Sequence, residues 1–263
     1  MPLPSFQYIL YEKKGHVAYV TLNRPEVMNA LHPPLTAELS QVWAQISDDD
    51  DVWVGILTGA GDRAFCAGSD LKWRVEDADD EELRHPTDAG VDHLEQCNKP
   101  IVAAINGYAV GGGLELALGC DLLVASAAAQ LGLPEARRGL LADKGGVLKF
   151  PRPLPYHLAM SMILTGRLVT AQEAHTMGLV NEVAQEESVI NVAERWVAQI
   201  LECGPLAVQA AKQVVTQSLD SPAPLTHTQI EDLAAVRRLR MSDDYAEGPR
   251  AFAEKRRPEW KGR

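Results

Sequence analysis

Residues 107–117 read Gly-Tyr-Ala-Val-Gly-Gly-Gly-Leu-Glu-Leu-Ala, with three consecutive glycines at 111–113. An apolar stretch that suits a buried strand, Pro100–Ile105, precedes the run, and a stretch that suits a helix, Leu114–Cys120, follows it. Glycines between a strand and a helix let the backbone come close to whatever lies opposite. The helix start adds unpaired N–H groups and the positive end of the dipole, which together favour negative charge on an oxygen. Two readings remain open: tight packing of helix on strand, or a ligand held against the backbone. A dinucleotide site needs GxGxxG and an acid about 20 residues on, at the end of the next strand. Here the spacing differs, and the next strand, Asp121–Ala125, runs out into Ser126-Ala-Ala-Ala129.

The surrounding chain has an α/β rhythm. Gln7–Glu12 and His16–Leu22, separated by Lys13-Lys14-Gly15, read as a hairpin. Pro34–Ile46 carries Leu35, Leu39, Val42, Trp43 and Ile46 at helical spacing. The acidic run Asp48–Asp51 is expected to be a solvated loop. Val52–Thr58 reads as a buried strand ending in Gly59-Ala-Gly61, and Glu76–Glu82 is acidic and poorly patterned. Gly178–Val183 is a short apolar run, and Val192–Ile200 is apolar at helical spacing. Pro205 and Pro222–Pro224 punctuate a C-terminal part that otherwise reads as helices. The expected organisation is an α/β core over 1–200 and a helical region over 201–263.

Composition narrows the function classes. A net charge of −11 over 263 residues argues against a nucleic-acid-binding face and against attraction to anionic membranes. The N-terminus shows no basic start followed by an apolar core, and no apolar run reaches the ~18 residues of a membrane span. Cys66, Cys97, Cys120 and Cys203 are far apart with no CxxC, as in reduced thiols of a cytoplasmic protein. No HExxH or other metal-ligand spacing and no GxSxG elbow occurs, so neither a metal nor a serine nucleophile is expected.

Two further clusters accompany the glycine run. Gly61-Asp-Arg-Ala-Phe-Cys-Ala-Gly-Ser-Asp70-Leu-Lys holds another close-approach glycine, Gly68, and Gly132-Leu-Pro-Glu135 places a second acid twenty positions past Glu115. Two converging carboxylates can divide general-acid and general-base work. Residue type alone puts either glutamate at the surface, and spacing does not show that they converge.

Taken in order, these clusters resemble the crotonase (enoyl-CoA hydratase/isomerase) superfamily. The resemblance rests on Leu22-Asn-Arg-Pro-Glu-Val-Met-Asn-Ala-Leu31, Ala64-Phe-Cys-Ala-Gly-Ser-Asp-Leu-Lys72, residues 104–117, Leu133-Pro-Glu135 with Gly145-Gly146, and Leu164-Thr-Gly-Arg167. Ala171-Gln-Glu-Ala174, Gly178-Leu-Val-Asn181 and residues 247–256 extend it over nearly the whole chain. It implies a spiral of ββα units with a helical C-terminal trimerisation region, assembled as a trimer or a dimer of trimers. It implies an acyl-CoA substrate and no cofactor beyond the coenzyme A of that substrate. By motif position the Ser69 and Gly112 N–H groups would hold a thioester enolate oxygen. Ala67, Gly68, Asp70 and Leu71 would line the coenzyme A, with Arg24 and Lys255 near its phosphates unless they are exposed surface cations. Hydratases of the family keep acids at the positions of Glu115 and Glu135, whereas many isomerases keep only the later one. The pair therefore implies a hydratase or dehydratase, with Glu115 activating water and Glu135 exchanging the Cα proton. Trp73 is a candidate for the acyl pocket. Other members of the superfamily bind RNA, and a catalytically silent coenzyme A scaffold is a further alternative.

One departure concerns the acyl end. Hydratases typically carry Pro-Gly before the later glycine pair; this chain has Ala142-Asp143-Lys144-Gly145-Gly146, which looks like carnitinyl-CoA dehydratases, as does its tail. A carboxylate there favours a quaternary ammonium substrate by charge. The plainer expectation is that Asp143 caps the helix that follows.

Overall fold

The computed structural model describes residues 6–76, 89–221 and 223–263. The acidic stretch 76–82, apart from the backbone of Glu76, and Pro222 lie outside the described residues. Strands β1 (Ile9–Lys14) and β2 (Val17–Leu22) form the antiparallel hairpin, turning through Gly15 at φ 56°. The turn sits later than the lysines because both lysines pair across the hairpin. Helix α1 (Pro33–Asp48) buries Leu35, Leu39, Val42, Trp43 and Ile46 along one face. Each such side chain contributes roughly 1.5–3 kcal/mol when fully buried.

The next strands alternate between two sheets. β3 (Val54–Gly59), β5 (Ile101–Ile105), β7 (Leu122–Ser126) and β10 (Glu182–Ala184) extend the hairpin into a six-stranded sheet of order β1-β2-β3-β5-β7-β10. β4 (Ala64–Cys66), β6 (Tyr108–Val110), β8 (Gln130–Gly132) and β9 (Val169–Thr170) form a four-stranded sheet of order β4-β6-β8-β9. Each turn of chain thus lays one strand in each sheet and then moves outward: β3-β4 into α2 (Leu71–Glu76), and β5-β6 into α4 (Gly112–Leu118). α3 (Ala89–Gln96) leads back from α2 to β5. This is a spiral of ββα units.

Side-chain alternation fixes which face each strand residue serves. Ile101, Ala103 and Ile105 join the larger core with α1 and α4, while Val102 and Ala104 join a second core with Val54, Ile56 and Val124. That second core is closed by Val189, Val192, Ala193 and Val197 of α8 (Val189–Leu201). Short helices α5 (Gly146–Lys149), α6 (Tyr156–Thr165) and α7 (Ala171–Thr176) intervene. After α8 the described elements are all helices: α9 (Pro205–Asp220), α10 (His227–Asp232), α11 (Ala234–Arg240) and α12 (Asp243–Glu254). Pro205 opens α9 rather than breaking it, since the first helical position has no N–H to lose.

Beyond Asp48 the acidic run is an exposed turn, as expected, and it carries ion pairs. Asp48 ends α1, Asp49 pairs with Lys13 of β1 at 2.7 Å, and Asp50 pairs with Arg238 of α11 at 2.6 Å. These exposed pairs join the hairpin and the C-terminal helices to the end of α1.

Candidate active site

β4, β6 and β8 run parallel and adjacent, so their C-terminal ends lie side by side. Each end leads directly into one of the sequence clusters. Ala67-Gly68-Ser69 follows β4, Gly111-Gly112-Gly113 and Glu115 follow β6, and Leu133-Pro134-Glu135 follows β8. The carboxyl edge of parallel strands is where open α/β sheets gather ligands.

The glycine run serves both of its open readings, residue by residue. A methyl group on Gly113 would lie 2.0 Å from the Cys66 carbonyl oxygen, so Gly113 is there for packing of α4 on β4. Gly111 adopts φ 58° and turns the chain toward Glu135. Gly112 faces the Gly68–Ser69 loop: a methyl on Gly112 would sit 3.7 Å from the Ser69 nitrogen, and one on Gly68 3.1 Å from the Gly112 nitrogen. Neither the Ser69 nor the Gly112 N–H donates a hydrogen bond within the described residues. Two free donors on adjacent loops are an arrangement that can take up one anionic oxygen.

Glu115 lies in the first turn of α4 and is only 3% exposed. Its Oε1 accepts N–H bonds from Lys144 at 2.8 Å and Gly146 at 2.9 Å. Burial pushes its carboxyl up to about 7; the Gly146 and Lys144 donors pull the other way, and the charges of Glu135 and Asp143 add to the rise. Glu135 opens a single 3-10 turn, Glu135–Arg138, and is half-buried. Its Oε2 is buried without a hydrogen-bond partner among the described residues, while its Oε1 would lie 2.9 Å from a methyl on Gly111. Burial raises its carboxyl as well, opposed by its own N–H and reinforced by Asp143. The two glutamates therefore converge to within coulombic reach, and the charge of exposed Asp143 acts on both.

Asp143 does not cap the following helix. The N-cap of α5 is Gly145 at φ 98°, with no side-chain cap bond. The cause is local: the turn carrying Asp143 spends its N–H groups on Glu115, and glycine takes up the left-handed geometry that remains.

The Ser69 loop is pinned from below. Ala67 N–H donates to Met28, Leu31 N–H to Gly68, and Asp70 N–H to Leu31. Arg24 is not an exposed cation: its side chain is 12% exposed, pairs with Asp70 at 3.1 Å, and donates to the Ala30 carbonyl at 2.6 Å. Asn29, fully buried at φ 55°, donates to the Ala60 and Ala64 carbonyls and accepts from Arg24 N–H. Asn106 donates to the Gly59 and Gly61 carbonyls. Sequence reasoning missed both asparagines. Their signal was a polar residue beside a glycine or before an apolar pair at the end of a strand.

Trp73 is half-buried, edge-on to buried His32 at a centroid distance of 5.1 Å, and Tyr8 packs edge-on to the same imidazole at 4.5 Å. Burial and the Arg24 charge hold His32 down at about 4, so it is neutral at physiological pH. Leu71, two residues before Trp73, is exposed. Lys255 ends α12 at φ 55°; its side chain has no hydrogen bond or ion pair among the described residues, and none joins it to the Ser69 loop. Among the described residues no three His, Cys, Asp or Glu side chains group as a metal site, and no helix is long and apolar enough to cross a membrane. All four cysteines are free thiols.

Against known proteins, the enoyl-CoA hydratase/isomerase family matches residues 12–263. An (E)-benzylidenesuccinyl-CoA hydratase of Thauera aromatica is 41% identical over 97% of this chain and 99% of its own. A carnitinyl-CoA dehydratase of Proteus mirabilis is 42% identical over 95% of this chain and 97% of its own. The crystal structure of an enoyl-CoA hydratase from Bacillus anthracis superposes with a TM-score of 0.89 at 37% identity, covering 98% of this chain and 100% of that one.

Proposed function

This chain belongs to the enoyl-CoA hydratase/isomerase family, and on that premise we propose that Glu115 and Glu135 add or remove water across the Cα–Cβ bond of a 2-enoyl-CoA thioester. The enzyme class is lyase and the substrate a coenzyme A thioester. The observation that carries the finer reading is the pairing of two raised-pKa carboxylates beside two unused backbone donors.

In the proposed reaction the thioester oxygen sits between the Ser69 and Gly112 N–H groups. Glu115 takes a proton from water as the water oxygen bonds to Cβ. The electron pair of the double bond moves to the thioester oxygen as an enolate, and Glu135 returns a proton to Cα. One carboxylate gains a proton and the other loses one, so the pair begins and ends the cycle with a single proton between them. Mutual repulsion and burial favour that singly protonated pair near neutral pH. The fixed N–H grip on Glu115 suits the group that must aim a water. The unpartnered Oε2 of Glu135 suits the group that hands a proton to carbon.

No step requires a metal or redox cofactor. Ala67, Gly68, Asp70 and Leu71 are assigned to the coenzyme A, with Arg24 holding their loop through Asp70. Lys255 is assigned to a phosphate. Exposed Leu141, Leu148, Met241 and Phe252 supply apolar surface suited to a trimer or a dimer of trimers.

Incubation with crotonyl-CoA, followed by loss of the enoyl thioester absorbance, tests the reading. Turnover removed by Glu115→Gln and by Glu135→Gln is the expected result. No turnover in the wild type would mean a silent scaffold, and unchanged turnover in both variants would take the reaction away from these two glutamates. Salt-sensitive RNA binding in place of turnover would move the protein to another class. A second reading, carnitinyl-CoA dehydration, is favoured by Asp143, and parallel assays with crotonyl-CoA and crotonobetainyl-CoA separate the two.

A further inference from the structure

The side chain of Glu135 has little to hold it. Its Oε2 has no partner among the described residues, and the N–H that acts on its carboxylate is its own. Its aim is therefore set by the backbone of the four-residue 3-10 turn Glu135–Arg138. Hydrogen bonds within a 3-10 turn are poorly aligned, so support from outside the turn matters.

That support comes from residues 165–170, which overlap the Leu164-Thr-Gly-Arg167 stretch of the family resemblance. β9 pairs with β8 through Gln130↔Thr170 and Leu131↔Val169. A methyl on Gly132 would lie 2.9 Å from the Arg167 carbonyl oxygen. A methyl on Gly166, at φ 60°, would lie 3.0 Å from Pro134 Cα and 2.9 Å from Arg137 Cγ. The whole segment from β8 to the Glu135 turn thus rests on this one stretch. Its only side-chain hydrogen bond to the turn runs from Arg137 Nε to the Thr165 carbonyl at 2.7 Å. Thr165 ends α6, where the last carbonyls lack intrahelical partners and the dipole is negative. A guanidinium suits both needs.

We propose that Arg137 is a positioning residue for Glu135: it fastens the turn that carries the acid to the last carbonyl of α6 and so aims the carboxylate at Cα. The proposal rests on the reading of Glu135 as the group that exchanges the Cα proton. The effect is geometric, because no arginine charge acts measurably on Glu135. The neighbouring Arg138 supplies the contrast: it is equally exposed and has no hydrogen bond or ion pair to any described residue.

The test is dehydration of 3-hydroxybutyryl-CoA, unlabelled and deuterated at Cα, by the full chain and by Arg137→Met, Arg137→Lys and Arg138→Met. Arg137→Met keeps the apolar stem beside Gly166 and removes the donor. It should lower kcat about tenfold, with KM changed by less than about twofold, as expected for a misaimed group rather than lost binding. The deuterium isotope effect on kcat should rise, because proton transfer at Cα becomes slower relative to the other steps. The pH limbs of kcat should stay in place. Arg137→Lys should recover most of the rate, and Arg138→Met should match the wild type. Wild-type kcat in Arg137→Met, a lower kcat with an unchanged isotope effect, or an equal loss in Arg138→Met would overturn the proposal. Glu135→Gln is run beside them. Full turnover in Glu135→Gln removes the reading of Glu135 and this proposal with it. Lost turnover there with wild-type behaviour in Arg137→Met removes this proposal alone.

Discussion

Glu115 and Glu135 leave neighbouring parallel strands, yet their surroundings differ. Glu115 is gripped by two N–H groups from a turn 29 to 31 residues away in sequence and lies almost fully out of solvent. Glu135 begins a short 3-10 turn, is half-buried, and leaves one oxygen without a partner. The same residue type is thus prepared as a fixed acceptor in one place and as an unsatisfied one in the other. An unsatisfied buried oxygen is costly in a resting protein and is the kind of group that a ligand or a transferred proton satisfies.

The largest effect that would break this contrast is loss of either carboxylate. Glu115→Gln and Glu135→Gln should each lower kcat by about 10²–10⁴ while acyl-CoA still binds. The double variant should be little worse than the poorer single one, because the two act as a unit. Steady-state kinetics with a binding control reads this. Next come two glycine variants that disturb one partner each. A methyl on Gly146 would lie 2.8 Å from Glu115 Oε1, and a methyl on Gly111, already at φ 58°, would lie 2.9 Å from Glu135 Oε1. Gly146→Ala should lower kcat roughly tenfold or more by displacing the gripped acid. Gly111→Ala should lower kcat and also cost about 1 kcal/mol of stability, because a side chain strains the left-handed backbone. Equal stability losses in both variants would remove the contrast.

A smaller effect is thermodynamic. Glu115 rises from its ordinary 4.5 to about 7 on folding, so the folded chain binds that proton more tightly than the unfolded chain. Its contribution to stability is present below about pH 4.5 and is lost as pH rises through about 7. Thermal melts of Glu115→Gln should therefore gain on the wild type by a few degrees between about pH 5 and pH 8. A constant difference across that range would contradict a buried, proton-holding Glu115. The smallest expected effect is electrostatic. Asp143→Asn removes a like charge acting on both acids, so the alkaline limb of the kcat profile should move to lower pH.

Much of this arrangement was legible in the sequence. The strand–glycine–helix order at 100–120 and the helical spacing in 34–46 named their elements to within a few residues. Periodicity carries that information because each element buries a face. What the sequence left open was tertiary. Whether glycines 111–113 pack or face a ligand depends on what stands opposite, and the answer differs for each glycine. Asp143 sits where a cap would be expected, but the N–H groups of its turn are taken by an acid far back in the chain. The acidic run 48–51 is solvated as its composition says, but its pairing was not legible because the partners, Lys13 and Arg238, lie on distant elements. Asn29 and Asn106 escaped notice for the same reason: a buried amide declares itself only when the carbonyls it satisfies are known.

The central claim is that the two glutamates jointly move water and a proton across one carbon–carbon bond. The most direct measurement is hydration of crotonyl-CoA in heavy-oxygen water and, separately, in deuterium oxide, with the product read by mass spectrometry and NMR. The account predicts one solvent oxygen at Cβ and one solvent deuteron at Cα for the wild type, and neither for the Glu115→Gln, Glu135→Gln double variant. Label uptake that persists in the double variant, or deuterium at Cα with no oxygen at Cβ in the wild type, would contradict it.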